Sequence, residues 1–188
     1  DLRAIATDPG LPKLFAIGFL VMGIFLGAYN YLGFRLSQAP YGLGPGAIGA
    51  IFALYAVGSA ASAWTGYAMN RLGRSRIVRG AGFASIAGLL VTLLPPLPVV
   101  ILGLAIFTIG FFAAHTVASA WVGKRGGSRR GLVSALYLSG YYLGASVIGS
   151  AAGWPWSAAG WPGVVAFLLA CTGALVVLGL RLRRLADD

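Results

Sequence analysis

The sequence has almost no acidic side chains. Its 188 residues include 4 Asp plus Glu against 14 Lys plus Arg, and the acids lie near the ends, at Asp1, Asp8, Asp187 and Asp188. No carboxylate side chain occurs between Pro9 and Ala186. This absence excludes acid–base catalysis by a pair of carboxylates and a metal cage of carboxylate oxygens, so we expect neither a metal nor another cofactor.

Polar surface and cysteine are scarce as well. Hydrophobic residues make up 59% of the chain and charged residues 10%, and the mean hydropathy is +0.85. So little polar surface cannot cover a water-soluble globule of this size. Cys171 is the only cysteine, which excludes an intrachain disulfide, and its apolar surroundings favour a buried hydrophobic role. The composition therefore predicts a membrane protein.

Apolar runs divide the chain into six segments separated by breaks rich in Gly, Pro, Ser or Arg. A helix that crosses a bilayer needs roughly 20 apolar residues. The sequence thus predicts an all-α polytopic bundle of six transmembrane helices, at approximately Leu14–Leu36, Gly46–Met69, Ile77–Leu94, Pro98–Val122, Gly131–Ala152 and Trp161–Leu180.

Basic residues alternate between the breaks. They precede the first run and follow the second, fourth and sixth runs, and Arg35 is the one exception among 14. Because short cytoplasmic loops carry an excess of Lys and Arg, the pattern predicts an integral cell-membrane (inner or plasma membrane) protein with both termini in the cytoplasm. The clusters are short, lack interleaved aromatic residues and belong to no soluble domain, so we expect attraction to anionic lipid headgroups and no nucleic-acid binding.

One basic break carries a motif. The stretch GYAMNRLGRSR has the pattern G-x-x-x-N-R-x-G-R-x-R and resembles the loop signature G-x-x-x-D-R-x-G-R-[RK] of the major facilitator superfamily (MFS). Asn stands where the family pattern has Asp; it can still cap a helix but cannot form an ion pair. Because the signature recurs in degraded form between helices 8 and 9 of that family, the Asn indicates the second copy. The residues that match are Gly66, Asn70, Arg71, Gly73, Arg74 and Arg76.

The resemblance extends over the rest of the chain. The stretches GAYNYLGFRL, GFFAAHTVASAWVGKR and GLVSALYLSGYYLGASVIGS are similar to helices 7, 10 and 11 of drug- or sugar-efflux members, and GWPGVV would open helix 12. The resemblance implies the C-terminal half of a twelve-helix transporter, built as two inverted three-helix repeats at residues 14–94 and 98–180. It also implies a partner N-terminal half, and a fragment that begins in the central loop.

The function that the resemblance implies is secondary active export of small organic solutes, either drug-like compounds or sugars, by proton antiport and not by an enzymatic reaction. The alternative is a self-contained six-helix channel or scaffold protein. We disfavour an intramembrane serine hydrolase, because Ser139 lacks the preceding G-x of a G-x-S-G motif.

Few polar groups lie within the predicted spans. A charged side chain at membrane depth is costly and is a functional-site hypothesis by default. His115 is either linked to protons or substrate, or a structural residue bonded to Ser119 and shielded by phenylalanines. Arg35 either reaches the headgroups, or serves an outer gate or holds an anionic substrate. The full set of candidates for a substrate cavity is Tyr29, Asn30, Arg35, Tyr55, His115, Tyr137 and Tyr141, with packing as the alternative for each aromatic residue.

Coupling to protons usually needs a carboxylate or a histidine. The predicted spans contain no carboxylate. The coupling group is therefore expected either in the N-terminal half or at His115.

Overall fold

The computed structural model describes residues 2–183, nearly all of which are helical. Because lipid offers no hydrogen-bond partner, an apolar chain must satisfy its backbone groups within its own helices. No strand occurs among the described residues, so the prediction of an all-α fold is confirmed. The helices are α1 Leu2–Ala6, α2 Leu11–Ser37, α3 Pro45–Ala50, α4 Leu54–Leu72, α5 Arg74–Val91, α6 Leu97–Gly126, α7 Arg130–Ala151 and α8 Gly153–Leu182, with 3-10 turns at Ile51–Ala53 and Gly127–Arg129.

Four segments of the described chain are long and apolar enough to cross a membrane: Leu11–Ser37, Pro45–Leu72, Leu97–Ala151 and Gly153–Leu182. The third contains two helices, α6 and α7, joined by a 3-10 turn. Helix α5 is not among the four; it has 18 residues and three arginines in its first two turns. All six predicted runs fall mainly within helices, but the number of spans stays a prediction.

The break predicted between the fifth and sixth runs is helical, which corrects the expected loop at residues 153–160. Pro155 lies in the first turn of α8, where the missing N–H costs no hydrogen bond. The helix is instead interrupted at Gly160, with φ 60° and ψ −146°. Only glycine adopts this region readily, so the break falls at the residue that tolerates it.

The pattern of contacts between helices stays nearly the same when three of the helices are exchanged with three others. Helix α2 packs on α6, α7 and α8, helix α6 also packs on α4, α5 and α7, and α5 packs on α8. Exchanging α2 with α6, α4 with α7 and α5 with α8 reproduces all of these pairs except α6 with α7, whose counterpart, α2 with α4, is not a main contact. Helices α2, α4 and α5 lie mainly in residues 14–94, and α6, α7 and α8 lie mainly in residues 98–180, the two ranges predicted as repeats.

Glycines allow two helix pairs to approach at backbone distance. A Cβ on Gly144 of α7 would lie 1.9 Å from the carbonyl oxygen of Phe19 in α2, and a Cβ on Gly23 of α2 would lie 2.6 Å from the carbonyl oxygen of Gly144. Helices α5 and α6 meet in the same way at Gly88 and Gly103. Close packing through small residues is the usual way to hold helices together in lipid.

Basic residues collect at one end of the bundle, which we call the basic end; it contains the α4–α5 junction, the end of α6 and the start of α2. Asp8, the one carboxylate side chain among residues 2–183, lies there. Its oxygens accept hydrogen bonds from Arg125 at 3.1 and 3.0 Å and from the backbone N–H groups of Gly10 and Leu11, both at 2.8 Å. These contacts attach the start of α2 to the end of α6.

The Asp8–Arg125 ion pair gives a pH-dependent stability. Partial burial opposes ionisation of Asp8, but the hydrogen bonds from Arg125 and the backbone outweigh it and hold its pKa below the ordinary value of 3.8. Since the pKa is lowered on folding, the stabilisation is present above pH 3.8 and is lost as the pH falls through the lowered value.

We therefore expect Asp8→Asn to lower the free energy of unfolding by about 1 kcal/mol at pH 7, measured by thermal unfolding in detergent. In an Arg125→Gln background the same substitution should cost much less, because the ion pair is already absent. An equal cost in both backgrounds would show that the pair does not stabilise the protein.

Candidate functional site

Aromatic side chains from four helices form one continuous group, which we call the aromatic cluster. Ring centroids lie 3.8 Å apart for Phe25 and Phe111, 4.5 Å for Phe25 and Tyr29, and 5.5 Å for Tyr29 and Tyr55. Edge-to-face and offset contacts with centroids about 4.5–7 Å apart are favourable beyond simple burial. The cluster comprises Phe25 and Tyr29 of α2, Phe52 of the 3-10 turn, Tyr55 of α4, Phe111, Phe112 and His115 of α6, and Tyr137 and Tyr141 of α7.

His115 lies between the phenylalanine and tyrosine parts of the cluster. Its ring stacks on Phe111 at 6.1 Å and lies 4.8 Å from the ring of Tyr141. Its Nδ1 atom lies 3.1 Å from the hydroxyl of Tyr137. Phe111 thus shields the histidine as predicted, but the expected bond to Ser119 is absent: Ser119 donates to the carbonyl oxygen of Thr116.

Two glycines make the space that the cluster fills. A Cβ on Gly18 would lie 2.6 Å from the ring of Tyr137, and one on Gly58 would lie 2.3 Å from the ring of Phe112. Both rings therefore occupy volume that any larger residue would take. Beside this contact, the hydroxyls of Ser62 and Thr116 pair at 2.6 Å and join α4 to α6.

The cluster runs from the interior to the surface of the described chain. Tyr137 and Tyr29 are buried, at 1% and 7% exposure, whereas Tyr55 is 37% exposed. The hydroxyl of Tyr29 bonds to Thr108 at 2.8 Å. His115 and Tyr141 are partly buried. A molecule placed against this surface would meet aromatic faces together with the imidazole and a phenolic hydroxyl.

Five of the seven predicted cavity residues therefore belong to one group: Tyr29, Tyr55, His115, Tyr137 and Tyr141. Sequence reasoning missed Phe25 and Phe52 as members. The spacing of Phe25 and Tyr29, one helical turn apart, was the available signal, since residues i and i+4 share a helix face.

Arg35 and Asn30 lie apart from the cluster. Arg35 donates to the backbone carbonyl of Thr92, the residue that follows α5, and to the hydroxyl of Tyr41 at 3.0 Å. Its guanidinium also lies 6.0 Å from the ring of Trp161, whose indole N–H donates to the hydroxyl of Thr92. Arg35 thus joins α2, α5 and α8 at the end opposite the basic end. Asn30 is exposed and remains a candidate from the sequence alone.

The predicted loop motif forms the junction of α4 and α5. Gly73 has φ 82°, a conformation that favours glycine, and it alone separates the two helices. Asn70 lies inside α4, and α5 begins without a side-chain cap, so the cap expected from Asn70 is absent. A Cβ on Gly66 would meet no heavy atom within 4 Å, so no described residue requires a glycine there. The arginines Arg71, Arg74 and Arg76 line an open groove with Lys124 of α6.

The part of the chain that the structure describes contains no group of three His, Cys, Asp or Glu side chains able to hold a metal ion.

We expect Arg35→Gln to lower the free energy of unfolding by roughly 1–3 kcal/mol, because hydrogen bonds from the guanidinium to α5 and Tyr41 are lost. Asn30→Ala, an exposed change in the same helix, is the control and should unfold close to the wild type. Thermal unfolding of the purified protein in detergent measures both. Equal stability of the two variants would contradict a joining role for Arg35.

Known proteins similar to this chain are transporters. It is 40% identical over 184 residues to the inner membrane transport protein YnfM of Escherichia coli K12, which covers 98% of this chain and 44% of that protein. It is 41% identical over 161 residues to the uncharacterized MFS-type transporter YybF of Bacillus subtilis, or 86% of this chain and 40% of that protein. An uncharacterized transporter of Buchnera aphidicola from Schizaphis graminum is 37% identical over 177 residues, or 94% of this chain and 43% of that protein.

No family model matches the chain. The chain spans somewhat less than half the length of the curated relatives that it matches. Their names describe transport and not an enzymatic reaction, in agreement with the prediction that this chain is not an enzyme. Together with the long apolar helices, the relatives show that the chain is an integral membrane protein, homologous over most of its length to part of a membrane transporter of the MFS type.

Proposed function

We propose that the chain is the C-terminal six-helix half of a secondary transporter that exports small organic solutes by alternating access and proton antiport. The lengths of the relatives support this assignment, because each is more than twice as long as its match to this chain. The exchange symmetry of the helix contacts supports two three-helix repeats. Since each set has three helices, the second would cross the membrane in the opposite direction and be inverted relative to the first.

The exposed faces of α4 and α7 favour a partner half. Both helices are held by the bundle on one side only. Both expose large apolar or aromatic side chains, such as Tyr55 and Val57 of α4 and Tyr142 and Leu143 of α7. The aromatic cluster reaches the surface between them. In two-half transporters the substrate binds near the midplane at the interface between halves, so this is where we place it.

The observation that carries the proposal is the aromatic cluster with its imidazole. Flat rings offer large apolar contact area, while the hydroxyls of Tyr55 and Tyr141 and the imidazole of His115 supply a few polar partners. This combination suits moderately apolar organic molecules, the drug-like class, better than sugars, which present many hydroxyls and would need more polar partners than the described cluster offers.

We place the transporter in the inner or plasma membrane. In the orientation that we propose, its basic end faces the cytoplasm. The positive charge gathered at that end supports this choice through the positive-inside rule. Proton coupling then runs through His115 or through a carboxylate of the N-terminal half.

Transport kinetics of the full-length protein in proteoliposomes test the substrate site. We expect Tyr55→Ala and Tyr141→Ala to raise the KM for an aromatic cationic dye about three- to tenfold, because each removes a ring contact with the solute. Tyr67→Ala is the matched control, since Tyr67 is an exposed tyrosine of α4 that packs on Arg71, outside the cluster. An equal effect of all three, or none, would contradict the placement of the site.

Proton coupling is tested by His115→Gln, which keeps a hydrogen-bonding side chain but cannot be protonated. If His115 carries the proton, uptake driven by a pH gradient into inverted vesicles is lost while exchange of solute against solute continues. Tyr137→Phe, which removes only the hydrogen-bond partner of His115, should retain gradient-driven uptake. Wild-type gradient-driven uptake by His115→Gln would assign the coupling to the other half.

A further inference from the structure

A second cavity opens on the surface of the bundle, away from the aromatic cluster. It is an apolar cleft of about 290 Å³ between α4 and α5, with α6 as its floor. Helices α4 and α5 make few contacts with each other, and the cleft lies between them. Its walls are almost entirely apolar and include Trp64, Leu72, Arg76, Ile77, Gly80, Ala81, Ala84, Ile109, Gly110 and Ala113.

The mouth of the cleft is continuous with the basic groove. That groove has a volume of about 430 Å³ and is lined by residues 69–74, Arg76 and Lys124. Leu72 and Arg76 line both cavities, so the apolar cleft ends where the basic groove begins. Trp64, which is 61% exposed, stands at the side of the cleft.

No carboxylate side chain among residues 2–183 lines the groove. Asp8 is the one carboxylate side chain among residues 2–183, and it already binds Arg125. Arg71 stacks on Tyr67 at 4.7 Å, a contact that leaves its charge in place. A ligand with a negatively charged group next to a hydrocarbon chain would therefore complement both the basic groove and the apolar cleft.

We propose that this joint cavity binds one anionic phospholipid, with an acyl chain in the cleft between α4 and α5 and the phosphate in the basic groove at Arg76, Arg71 and Lys124. Phosphate oxygens accept bidentate hydrogen bonds from a guanidinium, and basic groups at a membrane surface attract anionic headgroups. The lipid would lie against Gly73 and so brace the α4–α5 junction. This proposal does not depend on transport.

Native mass spectrometry of the full-length protein tests the site, with phosphatidylglycerol and phosphatidylcholine of identical acyl chains added at equal concentration. The wild type should retain one phosphatidylglycerol in preference to phosphatidylcholine. Gly80→Leu should abolish this retention, because a side chain there fills the cleft. Gly173→Leu is the matched control, since both helical glycines have no heavy atom within 4 Å of an added Cβ.

The charge is tested separately by Arg76→Gln, which should weaken phosphatidylglycerol binding about fivefold. It should weaken phosphatidylcholine binding less, because the choline group already neutralises that phosphate. Arg129→Gln, in the 3-10 turn before α7 and outside both cavities, should keep the preference. If Gly80→Leu does not yield folded protein, Ala84→Val narrows the cleft with one smaller change and should lower retention.

Three results would overturn the proposal. Retention of phosphatidylglycerol by Gly80→Leu and Ala84→Val would mean that headgroups bind the basic end without the cleft. Equal retention of both lipids by the wild type would mean that the cleft accepts any acyl chain. Displacement of the lipid by inorganic phosphate alone at millimolar concentration would mean that the groove is a site for free phosphate.

Discussion

Close backbone contact between helices is the constraint on which the rest of this structure depends. In lipid the hydrophobic effect does not drive one helix onto another, so helices associate through packing at short range. Here the contact of Gly144 with the backbone of α2 fixes α7, and the contact of Gly88 with Gly103 fixes α5 on α6. Helices that lack such contacts on one side, α4 and α7, present the broad exposed faces of the bundle.

Close packing at glycines also determines the position of the aromatic cluster. Gly18 and Gly58 leave room into which the rings of Tyr137 and Phe112 project, so that helix packing and the position of the rings are set by the same glycines. His115 acquires its hydrogen-bond partner because Tyr137 is held there, on a different helix and 22 residues away. The candidate site is thus a property of the packed bundle and of no single helix.

Much of the fold, but less of the site, could be predicted from the sequence. Apolar run length and the Gly- and Pro-rich breaks located the helices, because hydropathy and backbone chemistry act locally. The helical stretch at residues 153–160 was missed because Pro155 lies at a helix start, where proline is tolerated, and composition alone indicates a loop. Two hydrogen bonds depend on contacts between helices, which no local sequence pattern encodes. Arg35 bonds to Thr92 after α5, and His115 bonds to Tyr137 and not to Ser119.

The arginine-rich start of α5 has a consequence for biogenesis. With 18 residues and three arginines, this helix is a poor candidate for entering the bilayer by its own hydropathy. Its partner α6 is strongly apolar and meets it at backbone distance along Gly88, Gly103 and Gly110. Because α5 is synthesised before α6, we expect α5 to insert stably only after α6 has been made. We therefore expect the two helices to enter the bilayer as a pair.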